Sequence, residues 1–193
     1  MLSFNDNNAQ YLIVNSELTG SDTLKKNESG AIVLPFEGPV IYEVIRFING
    51  KGLFLEDHFR RLENSFQIEG IENPVDLAAF KEYASVLLSV NEERDCNVKI
   101  MSTGKDFVVY LSKKFYPGPA YYEKGIRTAC IQIERPSPNA KIRRSDYIER
   151  IETFKQANEI FEALLMNAEG YLTEESNCNL FFLRRGEPDA FYT

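Results

Sequence analysis

Apolar residues recur along this chain in short blocks whose period changes several times. Tyr11–Val14 and Ala31–Leu34 are short apolar runs that predict strands, separated by a polar loop rich in Ser, Asp, Lys and Asn up to Gly30. Ile41–Ile48 mixes β-branched and aromatic residues with Glu43 and Arg46, and Asn49-Gly50 divides it from Leu53, Phe54 and Leu55. Both turn residues tolerate the positive φ of a type I′ turn, so the stretch predicts a hairpin. From Glu56 to Gln67 the period becomes helical, with Phe59, Leu62 and Phe66 on one face, Glu56 and Asp57 in the first turn, and Gly70 ending the helix. A second helix is expected from Asn73-Pro74, with Leu77, Ala78, Phe80, Ala84, Leu87 and Leu88 as its stripe and Asn91 near its end. Asn97–Met101 and Phe107–Leu111 predict paired strands.

The first 112 residues therefore read as a small α+β domain of antiparallel strands with two helices on one side. Lys113–Gly125, with Pro117, Gly118 and Pro119, is the expected linker. The second domain, 126–193, opens with a strand at Ile126–Ile133, broken by Pro136-Ser137-Pro138-Asn139. A helix follows from Tyr147 to Ile160, with Ser145 or Asp146 as its expected cap. Ala163–Met166 predicts a buried strand, Ala168-Glu169-Gly170 a turn, and Tyr171-Leu172-Thr173 the return. Glu174–Asn179 reads as a polar loop before a strand at Leu180–Leu183. Gly186 opens a last turn, and Ala190-Phe191-Tyr192 begins a strand left without a partner.

Composition narrows the function classes. The formal net charge is −7, which argues against nucleic acid as a main partner, because phosphate binding needs a basic face. Cys96, Cys130 and Cys178 are odd in number and form no CxxC pair, as expected in a reducing compartment. No apolar run approaches the roughly 18 residues of a membrane span, and MLSFNDNNAQ shows no basic n-region before an apolar core. A cytoplasmic protein is expected.

The chemistry concentrates between Asn139 and Leu183. A lysine ahead of a helix is ordinarily a surface residue; here its companions single it out. Lys141, Glu162-Ala163-Leu164-Leu165, Gly170-Tyr171-Leu172-Thr173-Glu174 and Asn179-Leu180-Phe181 resemble, in order, the pattern of the class IV aminotransferases. Upstream, Tyr42-Glu43-Val44-Ile45-Arg46, Asn49-Gly50-Lys51 and His58-Phe59-Arg60-Arg61-Leu62 resemble that family's Y/F-E-x-x-R, N-G-K and H-x-x-R-L elements. The family comprises branched-chain and D-amino-acid aminotransferases and aminodeoxychorismate lyase.

The resemblance implies a two-domain, α+β, fold-type IV enzyme using pyridoxal 5′-phosphate. It acts on an amino acid and a 2-oxo acid and works as a homodimer, with no nucleic acid, membrane or metal involved. Lys141 would carry the Schiff base and the proton, a role that a lowered amine pKa favours. Glu174 would face the pyridine nitrogen and keep it protonated. Arg61 would grip the phosphate through its guanidinium fork, whereas Arg60 has no match. Ser176 and Asn177 would sit by the cofactor, and Tyr42 on the substrate side. His58, the only histidine, reads as a packing or hydrogen-bonding residue.

Three departures accompany the resemblance. Glu175 stands where many relatives have a glycine. Ile142–Tyr147 supplies no phenolate partner in the family spacing. The chain reaches Phe191-Tyr192-Thr193 where the family continues, so the second domain is expected to be incomplete and the chain apparently truncated. Three functional alternatives stay open: an aminotransferase, a lyase forming 4-aminobenzoate and pyruvate, and a non-catalytic member.

Overall fold

The computed structural model describes residues 1–113 and 116–192. In chain order the elements are β1 (Leu2–Phe4), β2 (Tyr11–Val14), β3 (Glu17–Gly20), β4 (Ile32–Leu34), β5 (Val40–Ile48) and β6 (Lys51–Gly52). Then come α1 (Leu55–Glu69), α2 (Leu77–Val90), β7 (Cys96–Ser102), β8 (Phe107–Ser112) and α3 (Pro119–Lys124). The remainder holds β9 (Thr128–Gln132), β10 (Ile142–Arg143), α4 (Ser145–Ala157), β11 (Glu162–Met166), β12 (Leu172–Glu175), β13 (Phe182–Arg184) and β14 (Glu187–Tyr192).

These elements form two compact units. The first comprises Met1–Phe115 and Ser137–Arg143; the second comprises Tyr116–Pro136 and Arg144–Thr193. The expected linker, 113–125, includes Lys114 and Phe115, which lie outside the described residues, and it contains α3. The segment 137–143 was expected in the second domain, yet it belongs with the first. The reason is backbone pairing: Ile142 and Arg143 add β10 antiparallel to the edge of β5.

The first unit is built on a sheet of order β10-β5-β7-β8-β2-β3, with β6 also on β5. Along β5, burial alternates residue by residue, as a strand between two different surroundings demands. Ile41, Ile45 and Phe47 join Phe59, Leu62 and Phe66 of α1 and Phe80, Ala84 and Leu87 of α2 in one core. β8 is buried along its whole length. Its other face, Val108 and Tyr110, packs with Leu2, Phe4, Ile32 and Leu34 of the β1–β4 pair. The sequence pattern assigned no strand to Leu2–Phe4 and took Glu17–Gly20 for loop. Both are short strands whose partners, β4 and β2, complete them.

Local chemistry sets the boundaries near the site. Asn49 and Gly50 have φ of 50° and 74°, the left-handed pair of a type I′ turn. The return arm is shorter than expected: Lys51–Gly52 pairs, and Leu55 already opens α1. Gly70, at φ 68°, donates to Gln67 O, and Ile71 donates to Phe66 O, closing α1 with a left-handed cap. α2 starts at Leu77, beyond the expected Asn73-Pro74. Asn73 Oδ1 accepts from Val75 N, and Asp76 Oδ1 accepts from Ala79 N at 2.7 Å, so Asp76 is the cap.

The second unit has a three-stranded sheet, β12-β11-β9, in which β11 and β9 are parallel. α4 connects them, packing Ile151 against Ala163 and Leu165. Neither Ser145 nor Asp146 caps α4: its cap residue is Arg144, with no side-chain hydrogen bond to the helix start. The end of the chain also differs from expectation, because β14 pairs antiparallel with β13. Among the described residues no helix is long and apolar enough to cross a membrane.

Candidate active site

In the first unit the site grows from the meeting of β5, β10 and α1. Tyr42 N donates to Lys141 O at 3.0 Å, so Lys141 continues the β10 pairing with β5. The Lys141 backbone N–H donates to Ser65 Oγ of α1 at 3.0 Å. The Lys141 ammonium lies 5.1 Å from the centre of the Tyr42 ring, within cation–π range. Tyr42 and Lys141, far apart in the chain, are thereby brought together as a pair.

Glu43, next along β5, points to the opposite face and is fully buried. Arg61 donates to it from Nε and Nη2, both at 2.7 Å. Val44 N donates to Oε1 at 2.9 Å, and His58 Nδ1 stands 3.2 Å from the same oxygen. Burial pushes the Glu43 carboxyl up, but the Arg61 and Val44 hydrogen bonds and the Arg61 and Lys141 charges outweigh it and hold it below the usual range. The same Arg61–Glu43 hydrogen bonds raise Arg61. The fork uses Nε and Nη2, which leaves the Nη1 edge of the half-exposed guanidinium for an anion. Arg60 turns outward to Asp57.

A second polar cluster in this unit has no local sequence signal. Lys99 Nζ donates to Asp6 Oδ2 at 2.8 Å, and Tyr110 OH donates to Asp6 Oδ1 at 2.6 Å. Lys99 also lies 5.6 Å from the Tyr42 ring centre. Burial and the Asp6 carboxylate both raise the Tyr110 hydroxyl.

In the second unit Glu174 lies within β12, opposite Leu165, and not in a loop. Its carboxylate meets Arg135 Nη2 at 3.2 Å. Ser176 Oγ donates to the buried carboxylate of Glu162, and Asn177 Nδ2 donates to Glu162 Oε2 at 3.4 Å. Lys155 Nζ is 3.8 Å from Glu162 Oε1. Glu162, Glu175 and Cys178 bring possible metal-ligand atoms within 4.8 Å of one another. Burial and the Glu162 charge raise both Glu175 and Cys178, which opposes the deprotonated forms a metal requires.

The profile of one family, amino-transferase class IV, matches residues 40–188. The chain belongs to this family. A probable branched-chain-amino-acid aminotransferase of Rickettsia bellii is 24% identical over 200 residues, covering 95% of this chain and 68% of that protein. The solved Escherichia coli branched-chain amino acid aminotransferase aligns with TM-score 0.73 at 17% identity, covering 93% of this chain and 66% of that one. A second solved branched-chain amino acid aminotransferase, from T.th. and with pyridoxamine 5′-phosphate, gives TM-score 0.73 at 20% identity, covering 93% and 67%. A putative 4-amino-4-deoxychorismate lyase from Legionella pneumophila gives 0.64 at 20%, covering 81% and 62%. The mixed helix and strand fold matches these fold-type IV structures, and the chain spans about two thirds of their length.

Proposed function

We propose that this chain binds pyridoxal 5′-phosphate and transfers an amino group between an amino acid and a 2-oxo acid. The observation that carries the reading is the convergence of three motif residues on one unit. Lys141 is pinned by its backbone beside Tyr42, and Arg61, on the neighbouring helix, is locked to Glu43 of β5. The donor set fits the group: an amine suits its aldehyde, and a guanidinium edge suits its phosphate. When bound, the cofactor supplies the carbonyl that takes up the amino group and the ring that accepts the α-carbon's electrons.

The chain's own residues do the rest. Lys141 Nζ holds the cofactor and carries the α-proton once substrate has entered. Tyr42 supports that amine through its ring face. Arg61 binds the phosphate through Nη1, and Glu43 keeps the guanidinium fixed. The ring-nitrogen role of Glu174, the cofactor contacts of Ser176 and Asn177, a homodimer and a cytoplasmic location belong to the same reading.

The test mixes the purified chain with pyridoxal phosphate, reduces with borohydride, and maps the adduct by peptide mass spectrometry. The reading expects label on Lys141 and its loss in Lys141→Met. Label spread equally over other lysines, or none, overturns it and makes the chain a non-catalytic member. Product analysis separates the chemistries: amino-group exchange with a 2-oxo acid supports the transferase, while pyruvate and 4-aminobenzoate from aminodeoxychorismate identify a lyase.

A further inference from the structure

Ser65 sits on the buried face of α1, one turn beyond Arg61, with no exposed surface. Its hydroxyl donates to the Arg61 carbonyl at 2.8 Å. That bond fixes the hydroxyl's direction and leaves its lone pairs for the Lys141 N–H, which arrives at 3.0 Å. One buried oxygen therefore joins the helical turn that carries Arg61 to the segment that carries Lys141. Asn64 adds a second tie, from Nδ2 to Asn139 O at 3.3 Å. On the far side of the same residue, Lys141 O accepts from Tyr42 N. The Lys141 backbone is thus held at its N–H by α1 and at its C=O by β5.

We propose that Ser65 is a positioning residue that sets Lys141 in register with Arg61, so that amine and guanidinium meet the aldehyde and phosphate ends of one ligand at a fixed spacing. The identity of that ligand rests on the proposed function; the coupling is a property of the folded chain. A serine inside a helix is a weak helix former, and burying its hydroxyl is unfavourable unless the hydroxyl is hydrogen-bonded. Both bonds it makes lead to site residues. Alanine would keep the helix and its packing but strand the Lys141 N–H.

The experiment compares Ser65→Ala with Ser102→Ala. Ser102 is equally buried, and its hydroxyl also bridges, donating to Asp106 O and accepting from Gly104 N, each at 3.1 Å. Loss of a buried bridging hydroxyl is matched, and the Ser102 bridge does not include Lys141. The first readout is the pH profile of Lys141 acetylation by acetic anhydride on the cofactor-free chain. The second is pyridoxal phosphate fixed on Lys141 by borohydride. Ser65→Ala is expected to shift the acetylation profile and to lower the Lys141 adduct about fivefold, the scale of one net hydrogen bond. Ser65→Thr, which keeps the hydroxyl, restores both, and Ser102→Ala matches the wild type. An unshifted profile in Ser65→Ala, or the same shift in Ser102→Ala, overturns the proposal. If the wild type fixes no cofactor on Lys141, the proposed function fails while the acetylation profile still decides the role of Ser65.

Discussion

Arg61 clasps Glu43 with two hydrogen bonds of 2.7 Å, yet the two partners differ sharply in exposure: the Arg61 side chain is 47% exposed and the Glu43 side chain 0%. That asymmetry sets the cost of breaking the pair. Removing Arg61 takes the guanidinium partner from a carboxylate in the core, whereas altering Glu43 leaves a half-exposed guanidinium that water can reach. Arg61→Ala is expected to cost about 3 kcal/mol and Glu43→Gln about 1–2 kcal/mol. Urea unfolding of both variants checks the order; a larger cost for Glu43→Gln refutes it.

The same pair makes stability depend on acid. Burial pushes Glu43 and Asp6 up, but Arg61 in one case and Lys99 in the other outweigh it, so both carboxyls sit below their usual values of 4.5 and 3.8. A carboxyl depressed in the folded state stabilises above its unfolded pKa and loses that contribution as pH falls through the folded value. In that window the unfolded chain binds more protons, so stability falls on acidification. In Arg61→Ala burial remains while its main opponent is gone, so the stabilising Glu43 contribution shrinks. Thermal melts from pH 7 to pH 3 should show the gap between variant and wild type narrowing once the pH falls below about 4.5, the usual value of the Glu43 carboxyl; a constant gap excludes this linkage.

The phosphate role proposed for Arg61 predicts a split between two ligands. Arg61→Met is expected to weaken pyridoxal phosphate binding about tenfold or more, the scale of a lost charge-assisted bond. Pyridoxal, which has no phosphate, should bind wild type and variant alike. Absorbance titration with each ligand measures both, and equal losses for the two would remove Arg61 from the phosphate.

Asp6 joins the N-terminal segment to the sheet through Lys99 and Tyr110. Asp6→Ala leaves a buried hydroxyl and a nearly buried ammonium without their acceptor, at an expected cost of about 2–3 kcal/mol. Asp6→Asn retains an acceptor oxygen and should cost less. Equal midpoints for Asp6→Ala and wild type in denaturant would contradict the geometry.

Local pattern carried much of this architecture. The Asn49-Gly50 turn follows from two residues that accept positive φ, and α1 follows from Phe59, Leu62 and Phe66 recurring on one face. The order of the motifs around Lys141, Arg61 and Glu174 was also legible, and it pointed to the family that residues 40–188 match. Where competing local bonds existed, the pattern placed boundaries poorly. Asp76, not Asn73, caps α2, and Glu174 lies in a strand because β11 supplies a partner for it.

The order of residues specified most of the elements and the residue types able to do the chemistry. Periodicity reports which face of a local segment is buried, and motifs report spacing along the chain. Packing in three dimensions was needed to take the segment around Lys141 out of the second unit and lay it beside β5. It was needed also for Ser65 to receive the Lys141 N–H across 76 residues, and for Glu43 to become the buried partner of Arg61. Those relationships depend on strand register and helix packing. A single hydroxyl or carboxylate placed by them leaves no periodic trace in the chain, because its partner is fixed by the fold and not by its neighbours in sequence.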